Sequence, residues 1–338
     1  MNPEVSFLTW NIYRGADIAP LAVPTPAAVT QVFRQFLATN FPVRAKAIAR
    51  EIASKKPDLI GLQEAEKWTL KIPDFPDVTY DLIEILLDEL RERGLHYEVA
   101  ALLENPNVLA QDLPDSNGNK ISFLNRNAIL IRKDHGLKVI NRQVSHFKTM
   151  FDGFLRGWCA VDVKVDGNVF RMITTHLEPL NPPTRVGQAQ ELIDGPANTD
   201  LPVIITGDLN SPPNSPPYNI LITNGFRDVW NAVGEGLGLT CCQGADLLNA
   251  VSSLIIRIDY ILFKNGWKPK EAELVGEEQS NRTRTGLWPS DHAGVSASLH
   301  LEDHHDHHHD ESSDESSEHH HHHPPHPPHK ESRDESSD

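Results

Sequence analysis

The 338-residue sequence has few cysteines, no long apolar run and no excess of basic residues. Three cysteines, Cys159 and the adjacent pair Cys241 and Cys242, are too few for a disulfide framework and lack the Cys-x-x-Cys spacing of a zinc site. The adjacent pair leaves two interpretations open, a ring disulfide and two ordinary thiols in a loop. A transmembrane helix needs about 18 consecutive apolar residues, and the sequence offers no such run.

Basic charge is scarce throughout the chain. Lys and Arg number 31 against 47 Asp and Glu, which gives a formal net charge of −16. Residues 301–338 contribute 12 acidic and 2 basic residues, a net of −10, so residues 1–300 carry about −6. Proteins that grip nucleic acid usually carry a basic stripe. Nucleic acid is therefore not the favoured partner, although a locally basic surface remains compatible with this composition.

The first ten residues contain neither a basic start nor a long apolar segment before a cleavage site. Their apolar run is instead typical of a strand of the fold. We therefore predict no signal peptide and a cytoplasmic protein, with secretion as the alternative if a signal has been removed. We expect a monomer by default.

Composition changes abruptly near residue 303. The segment 303–338 consists almost wholly of His, Asp, Glu, Ser and Pro and holds 12 of the 18 histidines. Such a segment has no apolar residues to bury in a core and is predicted to be disordered. Its imidazoles and carboxylates suit Zn²⁺ or Ni²⁺, and an inert tail is the alternative. We expect a catalytic domain over residues 1–302 and a tail over residues 303–338.

Strand-like and helix-like segments alternate over the body of the chain. Apolar runs predict strands at 5–10, 58–62, 97–103, 127–132, 159–165, 169–174, 203–206, 255–263 and 293–301. Helical spacing predicts helices at 26–36, 43–54, 78–93 and 185–193. Many strands with helices between them indicate an α/β or α+β fold in which two packed sheets are flanked by helices.

Polar side chains stand where these strands end. The run from Ile204 to Thr206 stops at Gly207 and is followed by Asp208 and Asn210. Other strand ends carry amide, carboxylate and imidazole groups, namely Asn11, Glu64, His176, Asp259, Asp291 and His292. Such groups, gathered at the strand ends of one sandwich, are typical of a catalytic site.

These residue types suit the cleavage of a phosphoester. Mg²⁺ takes oxygen ligands and needs only one or two carboxylates, for which Glu64 is the leading candidate with Asn11 and Asp291 beside it. Asp259 can fix the tautomer of His292. Asp208 can orient or deprotonate the attacking water.

The motifs together resemble the endonuclease/exonuclease/phosphatase superfamily, which includes deoxyribonucleases, abasic-site endonucleases, inositol-polyphosphate 5-phosphatases and neutral sphingomyelinases. The matching segments, which span most of the body, are Thr9-Trp10-Asn11-Ile12, Leu62-Gln63-Glu64, Arg126-Asn127-Ala128-Ile129-Leu130, Thr174-Thr175-His176-Leu177, Thr206-Gly207-Asp208-Leu209-Asn210, Arg257-Ile258-Asp259-Tyr260-Ile261-Leu262 and Ser290-Asp291-His292. The resemblance implies a four-layer α/β/β/α sandwich of two packed mixed sheets flanked by helices.

The same resemblance implies a reaction and a division of roles. The reaction is Mg²⁺-dependent hydrolysis of a phosphoester by in-line attack of water without a covalent intermediate, with Mn²⁺ as an alternative metal. Glu64 resembles the chief metal ligand, and Asn11 and Asp291 resemble supporting ligands. Asp208 and Asn210 resemble the pair that positions the nucleophile and the phosphate. His292, oriented by Asp259, resembles the essential histidine, and His176 matches the deoxyribonuclease and sphingomyelinase branches.

The substrate depends on loops more than on the shared core. The aromatic segment 147–158 is compatible with base stacking, with a lipid surface and with a cover for the core. We expect a small-molecule or lipid-linked phosphoester as substrate and keep a nuclease as the alternative. A remote third hypothesis is a metal-sequestering protein that acts through its His-rich tail.

Overall fold

The computed structural model describes residues 2–302. The predicted tail and its expected Zn²⁺ or Ni²⁺ binding lie outside the described residues. Within residues 2–302 the chain runs through β1 (Glu4–Asn11), α1 (Pro26–Ala38), α2 (Phe41–Lys55), β2 (Leu59–Gln63), β3 (Lys67–Lys71), β4 (Val78–Asp81), α3 (Leu82–Glu92), β5 (Tyr97–Asn105), β6 (Leu113–Pro114), β7 (Lys120–Arg132), β8 (Lys138–His146), β9 (Gly157–Val165), β10 (Asn168–His176), α4 (Pro182–Asp194), β11 (Val203–Asp208), α5 (Pro216–Thr223), β12 (Arg227–Asp228), α6 (Val229–Val233), β13 (Asp259–Lys264), β14 (Trp267–Val275) and β15 (Gly294–Leu301).

Within the described part of the chain, these strands form two mixed sheets. The first has the order β14-β15-β1-β2-β7-β3-β4, with β5 and β6 also paired to β7, and the second has the order β12-β13-β11-β10-β9-β8. Each sheet contains one parallel pair, β1 with β2 and β10 with β11, among antiparallel neighbours. The carboxyl ends of parallel strands lie at the same edge, which places the residues that follow them side by side.

An apolar layer fills the space between the sheets. Phe7, Leu59 and Ile129 project from the first sheet and meet Met172 and Ile204 of the second. Alternate residues of a strand face opposite sides, so the intervening apolar residues face outward and need a cover of their own.

Helices provide that cover on both outer faces. Against the first sheet, Phe36 of α1, Ile48 of α2 and Leu86 of α3 are buried in the cluster that contains Leu8 and Ile60. Against the second sheet, α4 and α5 bury a separate apolar cluster. The order helix, sheet, sheet, helix confirms the predicted four-layer sandwich. None of the helices within residues 2–302 is long and apolar enough to span a membrane.

Helix starts follow local capping chemistry. The Thr25 side chain accepts the N–H of Ala28 at the start of α1, and Asn181 caps α4 in the same way. Asp81 caps α3 by accepting the N–H groups of Ile83 and Glu84. The predicted helix over 78–93 is therefore wrong at its start, because residues 78–81 pair with β3 as a strand and the helix begins after the cap.

Other differences from the sequence prediction also have local causes. The strand predicted over 255–263 begins only at Asp259, because the N–H groups of Ile255 and Ile256 donate to the carbonyl of Cys241 instead. The strand β8 escaped prediction because seven of its residues are exposed in a row. The strand β14 escaped because Pro269 interrupts it beside a register shift.

The aromatic segment 147–158 covers the core. Phe147 is buried beneath α4, where Trp158 packs against the same cluster, and Phe154 packs against the cluster beneath α1. These three rings are engaged by the fold.

The two sheets approach each other closely at Gly61 of β2. A Cβ atom built there would lie 2.1 Å from Oγ1 of Thr174 and 2.5 Å from Oγ1 of Thr206, both on the opposite sheet. No side chain fits at this position without separation of the sheets. Gly61 precedes Glu64 by three residues, so the spacing between the sheets is fixed close to the candidate site.

Candidate active site

Polar side chains replace apolar ones at one end of the layer between the sheets. Along β11 the inner face carries Ile204, Thr206 and Asp208, and along β10 it ends in Thr174 and His176. His176 lies beside Asp208 because the two parallel strands pair in that register. We call this end of the sandwich the mouth, defined by His176, Asp208 and the side chains that contact them.

Three side chains converge on one oxygen of Asp208. Its Oδ2 lies 3.1 Å from Nδ2 of Asn11, 3.2 Å from Nε2 of His176 and 3.6 Å from Nε2 of His292. Burial acts to raise the pKa of Asp208, but the two imidazoles and the Asn11 amide outweigh burial and hold this pKa well below its usual range. Asp208 is therefore an anion at neutral pH, and its other oxygen accepts the backbone N–H of Asn210 at 3.0 Å.

His292 is held between two carboxylates. Its Nδ1 lies 2.8 Å from Oδ2 of Asp259, and the antiparallel register of β11 and β13 places Asp259 opposite Asp208. Burial acts to lower the pKa of His292, whereas Asp259, Asp208 and Asp291 raise it well above the ordinary value. Burial raises the pKa of Asp259 to about 6, although His292 opposes the rise. At neutral pH the pair is an imidazolium and a carboxylate, and Nε2 faces Asp208.

Glu64 joins this network through Asn11. The Asn11 Nδ2 that contacts Asp208 also donates to Oε2 of Glu64 at 2.7 Å. The backbone N–H and Nε of Arg14 lie 3.2 Å and 3.4 Å from the other Glu64 oxygen. Burial acts to raise the pKa of Glu64, but Arg14, His176 and Asn11 lower it to about 2. Glu64 is thus a preorganised anion at the mouth.

Asp291 is a buried carboxyl group on which the charge of Glu64 acts. Burial raises its pKa to about 7, with Glu64 adding to the rise while His292 and Arg44 oppose it. Its Oδ1 is buried without a hydrogen-bond partner among the described residues and lies 4.0 Å from Nε2 of His292. Two neighbouring carboxylates, one with an unpartnered oxygen, fit a hard divalent cation, because such a cation would neutralise their repulsion.

A second carboxylate group also has ligand geometry. Asp208, Asp259 and His292 offer ligand atoms within 4.8 Å of one another in the described part of the chain. The contact of His292 Nδ1 with Oδ2 of Asp259 suits proton handling, while Oδ1 of Asp259, like Oδ1 of Asp291, has no hydrogen-bond partner among the described residues. This Asp/His group is one place for a divalent metal. The donor chemistry of Glu64 and Asp291 favours the oxygen-rich side of the mouth.

Two residues outside the predicted set hold the loops of the mouth in place. The guanidinium of Arg44, on α2, is fully buried and donates to the carbonyls of Thr39, Ile12, Tyr13 and Pro289 at 2.8–2.9 Å. The Ser290 hydroxyl donates to the carbonyl of Asn11. The chain after β1 and the turn before Asp291 are thereby fixed relative to each other.

Several buried polar atoms near the mouth have no hydrogen-bond partner among the described residues. They belong to both ends of the Asn127 amide, Nε and Nη1 of Arg156, Nδ1 of His176 and Nε of Arg185. Glu178 is the main charge that acts on both arginines, and one of its oxygens lies 3.7 Å from Nε of Arg156. Glu64 and Asp208 act more weakly on Arg156, and Asp208 acts more weakly on Arg185, which places both guanidinium groups near the site. An unmade buried hydrogen bond costs about 1–3 kcal/mol, so the unpartnered N–H groups of this set are suited to an anionic ligand.

The structure brings most of the predicted site residues together. Asn11, Glu64, His176, Asp208, Asp259 and His292 form one continuous set of contacts. Asp291 borders this set through His292. Asn210 lies at the rim, where its Nδ2 donates to the carbonyl of Leu177 at 2.8 Å. The roles assigned to these residues remain predictions.

Sequence reasoning did not select Asn127, Arg156 or Arg185 as site residues. Asn127 carried a signal, since it opens the apolar run of β7, but its lack of a partner appears only in three dimensions. The two arginines lie in loop and helix segments without a strand-end pattern.

Comparison with protein families shows to which family this chain belongs. The model of the Endonuclease/Exonuclease/phosphatase family matches residues 8–292. The chain belongs to this family. Members of the family are phosphoester hydrolases, and the predicted resemblance is confirmed. A comparison with curated protein sequences finds no match.

Solved structures of the same family share the fold at low sequence identity. A family protein from Bacteroides thetaiotaomicron is 17% identical, with a TM-score of 0.60 over 89% of this chain and 99% of that chain. TDP2 of D. rerio, complexed with a single-strand DNA product, is 17% identical with a TM-score of 0.56 over 88% and 99%. A mannosyl-6-phosphatase from Bacteroides thetaiotaomicron is 18% identical with a TM-score of 0.57 over 87% and 99%.

Proposed function

We propose that the protein is a Mg²⁺-dependent hydrolase that cleaves a small-molecule or lipid-linked phosphoester by in-line attack of water. The observation that carries this proposal is the unbroken set of contacts from Glu64 through Asn11 to Asp208 and His292. It combines a metal-binding carboxylate, an ionised carboxylate near the expected nucleophile and a charged imidazole in one buried site. Mn²⁺ is the alternative metal.

Each residue of the mouth has a distinct task in this reaction. Asp208, ionised and held by the N–H of Asn210, orients the attacking water and accepts its proton. His292, held by Asp259, presents Nε2–H to the phosphoryl group and donates a proton to the leaving oxygen. His176 shares Oδ2 of Asp208 and supplies a second imidazole near the phosphate.

Glu64, Asn11 and Asp291 would hold the divalent cation. The Oδ1 of Asn11 accepts the backbone N–H of Tyr13 at 3.0 Å and retains a second lone pair for a ligand bond. The bound cation supplies positive charge against the phosphoryl oxygens. Asn127 and Arg156 supply the remaining donors to those oxygens, since preorganised donors in a buried site stabilise developing charge most effectively.

Two observations bear on the substrate. The body carries only about −6 over residues 1–300 and has no excess of basic residues, which favours a small or lipid-linked ester. The mannosyl-6-phosphatase among the structural neighbours acts on a small phosphoester by its name. The D. rerio TDP2 complex with a single-strand DNA product keeps a nuclease as the second candidate.

A substrate panel separates the two candidates. Mannose 6-phosphate, p-nitrophenyl phosphate, bis-p-nitrophenyl phosphate, sphingomyelin vesicles, a plasmid and a single-stranded oligonucleotide are tested with Mg²⁺, with Mn²⁺ and with a chelator. We expect chelator-sensitive turnover of a small or lipid ester. The variant His292→Ala is the control for a contaminating hydrolase and should remain folded with turnover lowered by orders of magnitude. Saturable DNA cleavage without turnover of any small ester would identify a nuclease instead.

A further inference from the structure

The adjacent cysteines lie against His292. A disulfide joins Cys241 to Cys242, so the structure has the ring disulfide of the two interpretations. Cys241 is buried and its Sγ lies 3.6 Å from Nε2 of His292, whereas Cys242 is exposed. Nε2 is the same nitrogen that faces Asp208. One sulfur of the pair is therefore accessible from solvent and the other touches the imidazole of the mouth.

The backbone around the pair is bonded to the His292 segment. Cys241 forms single bridges with His292 and with Ile256, and the carbonyl of Thr240 accepts the N–H of Ala293 at 2.8 Å. The N–H of Gln243 donates to the carbonyl of Asp291 at 2.9 Å. Any change at the two sulfurs is thus made next to the residues that hold His292 in place.

Stabilisation of the fold does not account for this disulfide. A disulfide restricts the unfolded chain more as the loop that it closes becomes longer, and this one closes a loop of adjacent residues. Cys242 is exposed and contributes nothing to the apolar core. The position of the pair points to the chemistry of the mouth.

We propose that the Cys241–Cys242 disulfide is a thiol-exchange site at which a dithiol reductant converts the enzyme to a less active form by freeing a thiol against His292. The activity part of this inference rests on the proposed function. The structural part, a new sulfur–imidazole interaction on reduction, does not.

The exchange balances as a two-electron reduction. A thiolate of the dithiol attacks the exposed Sγ of Cys242, the bond between the two cysteine sulfurs breaks, and Sγ of Cys241 leaves as a thiolate. The second thiol of the reagent then attacks the mixed disulfide and releases Cys242 as a thiol. The Cys241 thiolate takes up a proton, so the dithiol is oxidised to a disulfide while the cysteine pair gains two electrons and two protons and ends as two thiols.

Reduction changes what Nε2 of His292 contacts. In the disulfide form Cys241 has no proton and no charge, so Nε2–H is available to a phosphoryl oxygen. In the dithiol form Cys241 carries a free thiol 3.6 Å from Nε2 of His292, and this thiol can form a hydrogen bond with the ring nitrogen. The imidazole is then engaged by sulfur and is withdrawn from the phosphoester.

The test compares the two redox forms of the full chain. Dithiothreitol is applied and then removed under anaerobic conditions, so that it cannot chelate the metal, and alkylation with mass measurement verifies disulfide or dithiol. We expect kcat to fall by about tenfold or more on reduction and to recover on reoxidation. The ¹⁵N resonances of the His292 ring, assigned with His292→Gln, should shift between the forms whether or not the chosen ester is turned over.

Three variants serve as controls. Cys242→Ser leaves a permanent Cys241 thiol and should remain at the low kcat in both conditions. The double variant Cys241→Ala with Cys242→Ala should not respond to dithiol. Cys159→Ala removes the thiol buried between the sheets and should keep the full response.

The outcomes distinguish the two proposals. Equal kcat for verified disulfide and dithiol forms, or unchanged ring resonances, would overturn the exchange site while hydrolysis stands. Two free thiols in protein isolated in air would overturn it as well. No turnover of any phosphoester in either form would count against the proposed function, and the ring resonances would then decide the exchange site alone.

Discussion

The interaction of Asp259 with His292 offers the sharpest test of the proposed mechanism. In Asp259→Asn the side chain keeps its size and loses the charge that lies 2.8 Å from Nδ1 of His292. The Asn amide can accept a hydrogen bond from Nδ1–H or donate one to an unprotonated Nδ1. Residue 259 therefore no longer fixes the charge or the tautomer of the imidazole. The change leaves the apolar layers untouched, because Asp259 is at the end of β13 that faces the mouth.

The expected size follows from the bond that is lost. A hydrogen bond to a charged partner contributes about 1.5–3 kcal/mol against about 1 kcal/mol for a neutral one. The difference of about 1.4 kcal/mol corresponds to about tenfold in an equilibrium constant. Because Asp259 raises the pKa of His292, its removal lowers that pKa. Loss of the correct tautomer adds to this effect, and proton transfer contributes about 10²–10⁴ in rate. We expect kcat to fall by about 10²-fold or more.

The assay is the pH profile of kcat/KM with the best ester from the panel. Activity that requires the imidazolium is lost as pH rises through the pKa of His292, so the alkaline limb should move to lower pH in Asp259→Asn. Asp162→Asn is the matched control, since Asp162 is buried in an ion pair with Arg171 at 2.7 Å on the same sheet. It should lower stability and leave kcat and the limb in place. A folded Asp259→Asn protein with wild-type kcat and an unmoved limb would refute the assigned role.

Three further changes test the placement of the mouth. Gly61→Ala should force the sheets apart at Thr174. It should lower the free energy of unfolding in urea by about 1–3 kcal/mol and lower kcat, and removal of the Thr174 hydroxyl should recover part of both losses. A Gly61→Ala protein with unchanged stability and kcat would contradict the close approach of the sheets. Arg44→Met leaves four carbonyls without their donor and should cost about 4 kcal/mol or more, whereas Arg50→Met, an exposed change on the same helix, should cost less than about 1 kcal/mol. Glu64→Gln should shift the Mg²⁺ titration of activity to higher concentration, and an unchanged titration would remove Glu64 from the ligands.

Much of the site could be predicted because its residues follow short apolar runs. Asp208 ends β11 and Asn210 follows two residues later, and Asp291 and His292 lie just before β15, so local sequence marks them. Their meeting depends on parallel pairing and on the packing of one sheet against the other. The family resemblance supplied that long-range information, and strand spacing alone would have left the fold class open.

The parts that escaped prediction depend on contacts between distant segments. Arg44 lies in an amphipathic helix, where a basic residue usually faces solvent, and only the folded structure shows its guanidinium bonded to backbone carbonyls. The contact of Cys241 with His292 joins residues 51 positions apart. The start of α3 was misplaced because Asp81 ends a strand and caps a helix at once, a double role that periodicity does not reveal.

The closeness of the sheets at Gly61 has a consequence for the diversification of this fold. Gly61, the residue of β2 that has no side chain, lies between the apolar layer that stabilises the fold and the polar mouth that carries the reactive groups. Substitutions deeper than this boundary should be detected first as lowered melting temperature, and substitutions beyond it first as altered turnover or selectivity.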